Sequence, residues 1–408
     1  MTQICFYFQV HQPERLARLS YFDLYHKKSL FDDTLNKAVM EKVAVKCYLP
    51  MNRLLCELIH RYGNAFKVSF SISGIFLEQA QKYTPEVIES FQKLAETGSV
   101  EFIAETYYHS LASVFSKEEF KAQVKLQTQI INKLFDYTPR VFRNTELIYR
   151  NDIAEIAANM GFKGMLLEGI DKMLDWRSPY FVYHAKGLPE FSLLLKSYQL
   201  SDDIAYRFSD KNWQNYPLFA DTYTHWLKRI PEDSHCINLF MDYETFGEHH
   251  WHDSGIFKFF TALPKYVLES PRFTFNTVSE TIDTFSPADV IDAPDYISWA
   301  DSERDLSAWL GNPIQNSLFK AVNRLEHEVK SCRDPDLLHI WRKLTTSDHY
   351  YYLCLKGSND GNVHDYFSPF ESPNSAFNHA INALKELKHR ITLAKERHTN
   401  GKKHAVFI

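Results

Sequence analysis

Residues 239–251, LFMDYETFGEHHW, indicate both the fold of this chain and the position of its candidate site. The apolar run that ends at Met241 predicts a buried strand. Asp242 and Glu244 follow it directly, before Gly247 interrupts the pattern. Acidic side chains at the end of a strand, beside aromatic residues, are typical of the rim of an active site. The stretch therefore predicts catalytic carboxylates at a strand end.

A second acidic residue has an equivalent position roughly a hundred residues upstream. Val141 and Phe142 lead into residues 143–149, RNTELIY, in which Glu146 stands where a strand gives way to a loop. Arg143, at the start of that segment, could hold a carboxylate in its charged form. Glu146 and Asp242 are therefore the two catalytic candidates.

Strand patterns recur along the first part of the chain, mostly separated by helical patterns. Together with the run described first, they predict seven strands, near residues 4, 67, 100, 141, 164, 193 and 237. This alternation predicts a parallel β/α barrel, in which the loops after the strands build the active site. His11, Gln12 and His109 stand in such loops. An open doubly wound sheet is the alternative, but the chain has no glycine-rich phosphate loop to go with it.

The pattern changes after Phe285 to one helix after another. The sequence thus predicts a catalytic barrel over residues 1–285 and a helical C-terminal domain over residues 286–408. Helix caps and packing would explain the polar and aromatic stretches of this domain equally well, because Ser and Asp favour caps. Their content of Trp, Tyr and Asp nevertheless predicts that they help to cover a substrate. These stretches lie at residues 364–369 and around Trp299, Asp301, Trp309, Asp348 and His349.

Composition limits the partners of the chain. Its 408 residues carry a net charge of −5, with a pI near 6.4 and no long basic stripe, so no nucleic acid partner is indicated. Aromatic residues make up 15% of the chain, and many stand beside acids, an arrangement that suits the C–H faces and hydroxyls of sugars. The oligomeric state is not indicated.

Cysteine usage and hydropathy bear on the compartment. The six cysteines are scattered without a CxxC pair, which indicates buried free thiols rather than metal ligands. The chain begins directly with a strand pattern, and no apolar run is long enough to cross a bilayer. We therefore expect a cytoplasmic protein that does not interact with membranes.

Two carboxylates at strand ends suit the hydrolysis of glycosidic bonds. A separation of about 5 Å would let Glu146 attack directly and retain the anomeric configuration, whereas a wider gap would favour inversion through water. The acid keeps its proton near neutrality only if burial or a neighbouring negative charge raises its pKa. Glu244 is a candidate neighbour of Asp242, because alternate residues of a strand share one face.

The histidines that follow permit a second interpretation. His249 and His252 are three residues apart and would share a helix face. With Asp242 or His11 they could bind a metal that hydrolyses an ester or an amide. No HExxH-type spacing supports this, and metal-dependent polysaccharide deacetylation is the second hypothesis.

Five motifs follow one another over most of the chain. They are His11-Gln12-Pro13, residues 98–109 (GSVEFIAETYYH), 142–149 (FRNTELIY) and 240–247 (FMDYETFG), and the stretch 299–312. Their combination and order resemble glycoside hydrolase family 57 and, within it, the α-amylase-like group.

The resemblance implies a retaining mechanism on α-glucans, an incomplete (β/α)7 barrel with a C-terminal helical region that helps to close the cleft, and no metal or organic cofactor. It implies that Glu146 is the nucleophile and Asp242 the general acid/base. By the same resemblance, the substrate contacts include His11, His109, Trp299 and Asp301.

The leading hypothesis is accordingly an α-amylase that cleaves α-1,4-glucosidic bonds in starch, glycogen or maltodextrins. A 4-α-glucanotransferase on the same site remains open, because hydrolysis and transfer share the covalent intermediate. A glucan-binding protein without turnover is the hypothesis from a different class.

Overall fold

The structure is a computed structural model and describes residues 1–26, 29–356 and 368–405. It separates into two units, each assembled from discontinuous segments of the chain. The first comprises Met1–Gln12, Lys37–Tyr107 and Phe120–Trp299, and the second comprises Pro13–Asn36, Tyr108–Glu119 and Ala300–Ile408. The sequence-based division at residue 285 was continuous and so differs from these units.

The strands lie in the first unit. Those of the described residues are β1 (Thr2–Val10), β2 (Val68–Ile72), β3 (Val100–Ile103), β4 (Val141–Arg143), β5 (Gly164–Glu168), β6 (Tyr183–Ala185), β7 (Leu188–Lys196), β8 (Cys236–Asp242), β9 (Phe273–Phe275) and β10 (Val290–Ile291). β1 pairs in parallel with β2 and β8, β2 with β3, and β5 with β4 and β7. β6 is antiparallel to β7, β10 pairs with β6, and β9 pairs with the start of β1.

Hydrogen bonds at two seams close seven of these strands into a ring. The amide of Ala104 donates to the carbonyl of Val141 at 2.9 Å, and the amide of Arg143 donates back at 2.8 Å, which joins the end of β3 to β4. The amide of Ser197 donates to the carbonyl of Asn238 at 2.9 Å, which joins the end of β7 to β8. The predicted fold class, an incomplete parallel (β/α)7 barrel with a C-terminal α-helical domain, is confirmed.

Alternation along β1 shows how the barrel core forms. Tyr7 points into an interior cluster with Phe240 of β8, whereas Phe6 and Phe8 belong to the larger cluster formed with the surrounding helices. Successive side chains of a strand point to opposite faces, so a barrel strand buried on both faces is apolar throughout. The continuous apolar runs of the sequence are explained in this way.

Helices of the first unit pack against the barrel strands, and helices make up most of the second unit. In chain order they are Asp33–Val43, Leu49–Tyr62, Gly74–Tyr83, Pro85–Ala95, Ala112–Phe115, Lys117–Phe135, Asn151–Asn159, Asp171–Leu174, Tyr198–Ala205, Ala220–Lys228, Ile256–Leu268, Val278–Thr284, Ser307–Leu310, Pro313–Arg324, Glu326–Cys332, Pro335–Lys343, Asp348–Tyr351 and Pro373–Ala405. A π-helical turn, Ala44–Tyr48, connects the first two. In the part of the chain that is described, none of these helices has the length and apolar character needed to cross a membrane.

Candidate active site

The carboxyl ends of the barrel strands carry the candidate residues of the first unit. His11 and Gln12 follow β1, Arg143 ends β4, and Asp242 ends β8. Glu146 lies in a 3-10 turn just after β4. Carboxyl ends of parallel strands meet at one edge of a barrel, so these residues share the face on which such barrels build their active sites.

Glu146 occupies a strained backbone position and is held by a tryptophan. Its φ of 58° and the φ of 50° at Leu147 lie in the left-handed region, which non-glycine residues rarely adopt. The indole Nε1 of Trp299 donates a hydrogen bond to Oε2 of Glu146 at 2.8 Å. The backbone amide of Trp299 also donates to the carbonyl of Glu146 at 3.2 Å. Both the main chain and the carboxylate of Glu146 are thereby fixed by one residue.

Asp242 lies beside the same tryptophan. It is the last residue of β8 and stands opposite Gln9 of β1. A small pocket next to it is lined by Lys196, Ala205, Tyr206, Phe240, Met241, Asp242, Thr245, His249 and Trp299. Since Trp299 lines this pocket and also binds Glu146, the two predicted catalytic carboxylates are arranged around one side chain.

Glu244 is buried next to Asp242, although not on the strand face that the sequence predicted. The strand ends at Asp242 and Glu244 lies in the 3-10 turn Tyr243–Thr245, so strand alternation does not place it. The hydroxyl of Tyr48 donates to Oε1 of Glu244 at 2.5 Å. Burial, and then the charge of Asp242, raise the pKa of Glu244 to about 8. Glu244 therefore keeps its proton to a higher pH than an exposed glutamate does.

Gln12, which follows β1, helps to hold the tyrosine that binds Glu244. Its Nε2 donates to the hydroxyl of Tyr48 at 3.3 Å. Tyr48 ends the π-helical turn, and Gly247 lies against that turn with a φ of 108°. A Cβ at Gly247 would stand 1.9 Å from the carbonyl oxygen of Lys46, so only glycine fits this close approach. The glycine of the motif thus allows the turn after β8 to pack on the π-helical turn.

Arg143 is fully buried, and its guanidinium lies against Trp299. Its Cζ is 4.9 Å from the ring centroid, within the range of a cation–π contact. None of its side-chain nitrogens has a hydrogen-bond partner among residues 1–26, 29–356 and 368–405. The sequence suggested that Arg143 could hold a carboxylate, but in the structure it contacts the ring that holds Glu146.

His11 completes the candidates of the first unit. Its Nδ1 lies 2.7 Å from the hydroxyl of Ser73, the residue that follows β2 and precedes the helix Gly74–Tyr83. The imidazole is therefore oriented by the neighbouring strand end.

Comparison with known proteins identifies the family. The family model for glycosyl hydrolase family 57 matches residues 5–294. The chain belongs to glycosyl hydrolase family 57. It is accordingly a glycoside hydrolase, as the motifs predicted.

Relatives within family 57 differ in how much of the chain they match. A protein of Methanocaldococcus jannaschii, provisionally named alpha-amylase, is 43% identical over 402 residues, which cover 95% of this chain and 84% of that protein. The alpha-amylase of Pyrococcus abyssi is 23% identical over 168 residues, 41% of this chain and 22% of that protein.

Solved structures of family 57 share the fold. The 4-alpha-glucanotransferase of Thermococcus litoralis superposes with a TM-score of 0.69 at 15% identity, over 94% of this chain and 60% of that chain. The family 57 branching enzyme of Thermococcus kodakaraensis gives a TM-score of 0.66 at 13% identity, over 95% of this chain and 94% of that chain. At these identities the likeness concerns the fold alone.

The remaining candidates of this family 57 chain lie in the second unit. His109 has a φ of 48°, and its carbonyl accepts from the amide of Ser347 at 2.9 Å. That bond places His109 beside the segment that carries Asp348 and His349. A positive φ of 55° also occurs at Asp301, whose carboxylate pairs with Lys356 at 2.9 Å.

The other predicted stretches have simpler surroundings. Trp309 is buried in the short helix Ser307–Leu310, and its ring centroid is 6.4 Å from that of Tyr351. Residues 364–367 of the last stretch lie outside the described residues. The substrate roles of all these residues stay predictions, as does the contribution of the C-terminal domain to the cleft.

The histidine pair behind the metal hypothesis is not on a helix. His249 lies in a turn and His252 in the 3-10 turn His252–Ser254, so the predicted shared helix face is wrong. Burial, and then His250, lower the pKa of His249 to about 4. Within the described residues, no group of three or more His, Cys, Asp or Glu is placed to hold a metal ion.

Two residues of the site were missed by sequence reasoning. Lys196 ends β7 and pairs with Asp202 at 2.9 Å and with Glu168 at 3.4 Å. A polar residue that ends an apolar strand is the signal that indicated Asp242, and it could have indicated Lys196 too. Tyr48 has no such signal, because it lies within a helical segment.

Proposed function

We propose that this chain is a retaining, α-glucan-active hydrolase of the α-amylase type, which cleaves α-1,4-glucosidic bonds in starch, glycogen or maltodextrins. The observation that carries the proposal is the hydrogen bond from Trp299 to Glu146, beside the pocket that Asp242 lines. The alpha-amylase names of the relatives from Methanocaldococcus and Pyrococcus support the substrate class.

In the proposed first step, the carboxylate of Glu146 attacks the anomeric carbon and forms a glycosyl ester. The bond from that carbon to the leaving oxygen breaks, and Asp242 gives its proton to the leaving oxygen. In the second step Asp242 takes a proton from a water molecule, whose oxygen attacks the same carbon and releases Glu146. Two inversions at one carbon retain the α configuration.

The pair of Asp242 and Glu244 suits the acid role. The two carboxyl groups interact, because burial and then the charge of Asp242 raise the pKa of Glu244 to about 8, so the pair holds one proton to a higher pH than two exposed acids would. In the proposed mechanism this shared proton resides on Asp242 when the substrate is bound, and Asp242 passes it to the leaving oxygen. The hydroxyl of Tyr48, which itself accepts a hydrogen bond from Gln12, holds the Glu244 member of the pair.

The test is incubation of the wild type and of Glu146→Gln with maltoheptaose in the presence of a chelator. We expect only shorter products from the wild type, with the α anomer formed first by NMR, and a loss of about 10³-fold or more in the variant. Glu155→Gln is the matched control, because Glu155 is exposed on the helix Asn151–Asn159.

Other outcomes separate the alternatives. Products both longer and shorter than the donor would identify a glucanotransferase on the same site. Full activity in Glu146→Gln would refute its role as nucleophile. No turnover of any α-linked saccharide by the wild type would refute the hydrolase and favour a glucan-binding protein.

A further inference from the structure

Two cations lie against the ring of Trp299. Arg143, at the end of β4, has its Cζ 4.9 Å from the ring centroid. Lys196, at the end of β7, has its Nζ 5.4 Å from that centroid. Both distances fall within the range in which a cation is attracted to an indole ring. The N–H edge of the same ring is bound to Glu146 at 2.8 Å.

The two cations are anchored differently. Lys196 is buried and paired with Glu168, the last residue of β5, and with Asp202 of the helix Tyr198–Ala205. Arg143 is buried as well, yet no hydrogen bond links its side chain to any residue that the structure describes. A buried guanidinium without hydrogen bonds is costly. Its guanidinium lies instead against the ring of Trp299.

We infer that Arg143 and Lys196 are positioning residues for Glu146 that act through Trp299. The inference rests on the proposed role of Glu146 as nucleophile. Cations against the ring restrict its orientation and polarise its N–H, which strengthens the hydrogen bond to the carboxylate. A stronger hydrogen bond to the charged form favours the ionised carboxylate of Glu146 and holds it in one orientation.

Several charged groups surround Trp299 and the neighbouring strand ends. Burial raises the pKa of Tyr7 in β1. The charge of Arg143 lowers it, whereas the charges of Glu105, after β3, and of Asp242, at the end of β8, raise it. The carboxylates of Glu168 and Asp202 form ion pairs with Lys196. The positive charge of Arg143 offsets part of the negative charge of Glu105 and Asp242 in this region.

The experiment is a double-mutant cycle of Arg143→Met and Trp299→Phe, with kcat and KM for maltoheptaose measured across pH. Trp299→Phe removes the N–H but keeps an aromatic ring. We expect each single variant to lower kcat about tenfold, with KM changed by less than about twofold. The acid limb of the pH profile, that is the fall of kcat/KM at low pH, should move to higher pH by about one unit. In the Trp299→Phe background, Arg143→Met should cost less than about twofold further.

Two further variants complete the design. Arg143→Lys keeps the charge, so its acid limb should stay close to that of the wild type. Arg150→Met removes a cation whose Cζ is 4.1 Å from the ring of Tyr296, outside the candidate site, and should leave the pH profile unchanged. If Arg143→Met does not fold, Arg143→Gln, which keeps a polar side chain but removes the charge, takes its place in the cycle with the same expected results.

The inference would be overturned if the acid limb of Trp299→Phe stayed where it is in the wild type. It would also be overturned if the kcat loss of the double variant equalled the product of the two single losses. These results differ from a failure of the proposed function. That failure would appear as turnover by Glu146→Gln, whatever the profiles of the Arg143 and Trp299 variants.

Discussion

Glu244 offers a direct test of the electrostatics at the end of β8. It is buried, accepts a hydrogen bond from Tyr48, and has a pKa raised from 4.5 to about 8 by burial and then by Asp242. Glu244→Gln keeps the size of the side chain and cannot ionise. It therefore imitates the protonated state at every pH.

The sign of the effect follows from the direction of this pKa. In the folded state Glu244 binds its proton more tightly than in the unfolded state. Its stabilising contribution is fully present below pH 4.5 and is lost as pH rises through about 8. One pH unit corresponds to ~1.4 kcal/mol, so the loss over this interval is on the order of 5 kcal/mol in the free energy of unfolding.

The assay is urea denaturation of both proteins at pH values from about 5 to 9, compared as the difference in unfolding free energy. As pH rises, we expect the unfolding free energy of the wild type to fall relative to that of Glu244→Gln, by up to about 5 kcal/mol. Glu232→Gln, at an exposed position, should give a flat difference. A flat difference for Glu244→Gln as well would show that Glu244 is ionised in the folded protein and would refute the reasoning.

Two further substitutions test the neighbours of this carboxyl group. Gly247→Ala should lower the free energy of unfolding by about 3 kcal/mol or more, because its Cβ would meet the carbonyl of Lys46 at 1.9 Å. Gly187→Ala, also at positive φ but with open space around the Cβ, should cost only about 1–2 kcal/mol in the same thermal or urea denaturation experiment. Tyr48→Phe removes a donor that lowers the pKa of Glu244. The stability loss described for the wild type should therefore move to higher pH in this variant, and a shift to lower pH would contradict the assigned hydrogen bond.

The sequence was informative where the physics is local. Apolar runs that end in polar residues mark barrel strands and their active edge, so Asp242 and Glu146 could be placed at strand ends before the structure was known. Nothing in the sequence marked the π-helical turn Ala44–Tyr48, however.

The other parts of the site depend on contacts between distant segments. Trp299 reaches Glu146 across 153 positions of sequence, and Tyr48 reaches Glu244 across 196. No periodicity encodes such pairs. Glu244 was misplaced for a related reason, because its strand ended two residues earlier than the alternation argument assumed.

The π-helical turn Ala44–Tyr48 sets the rotational phase of the segment that carries Tyr48. An α-helix turns by about 100° per residue, and a π-helical turn accommodates one extra residue within such a helix. A chain shorter by one residue here could continue as a regular α-helix, but Tyr48 would then be rotated by about 100° about the helix axis from its position beside Glu244. The number of residues in this helical segment, and not only their composition, therefore decides whether a tyrosine hydroxyl reaches the buried acid.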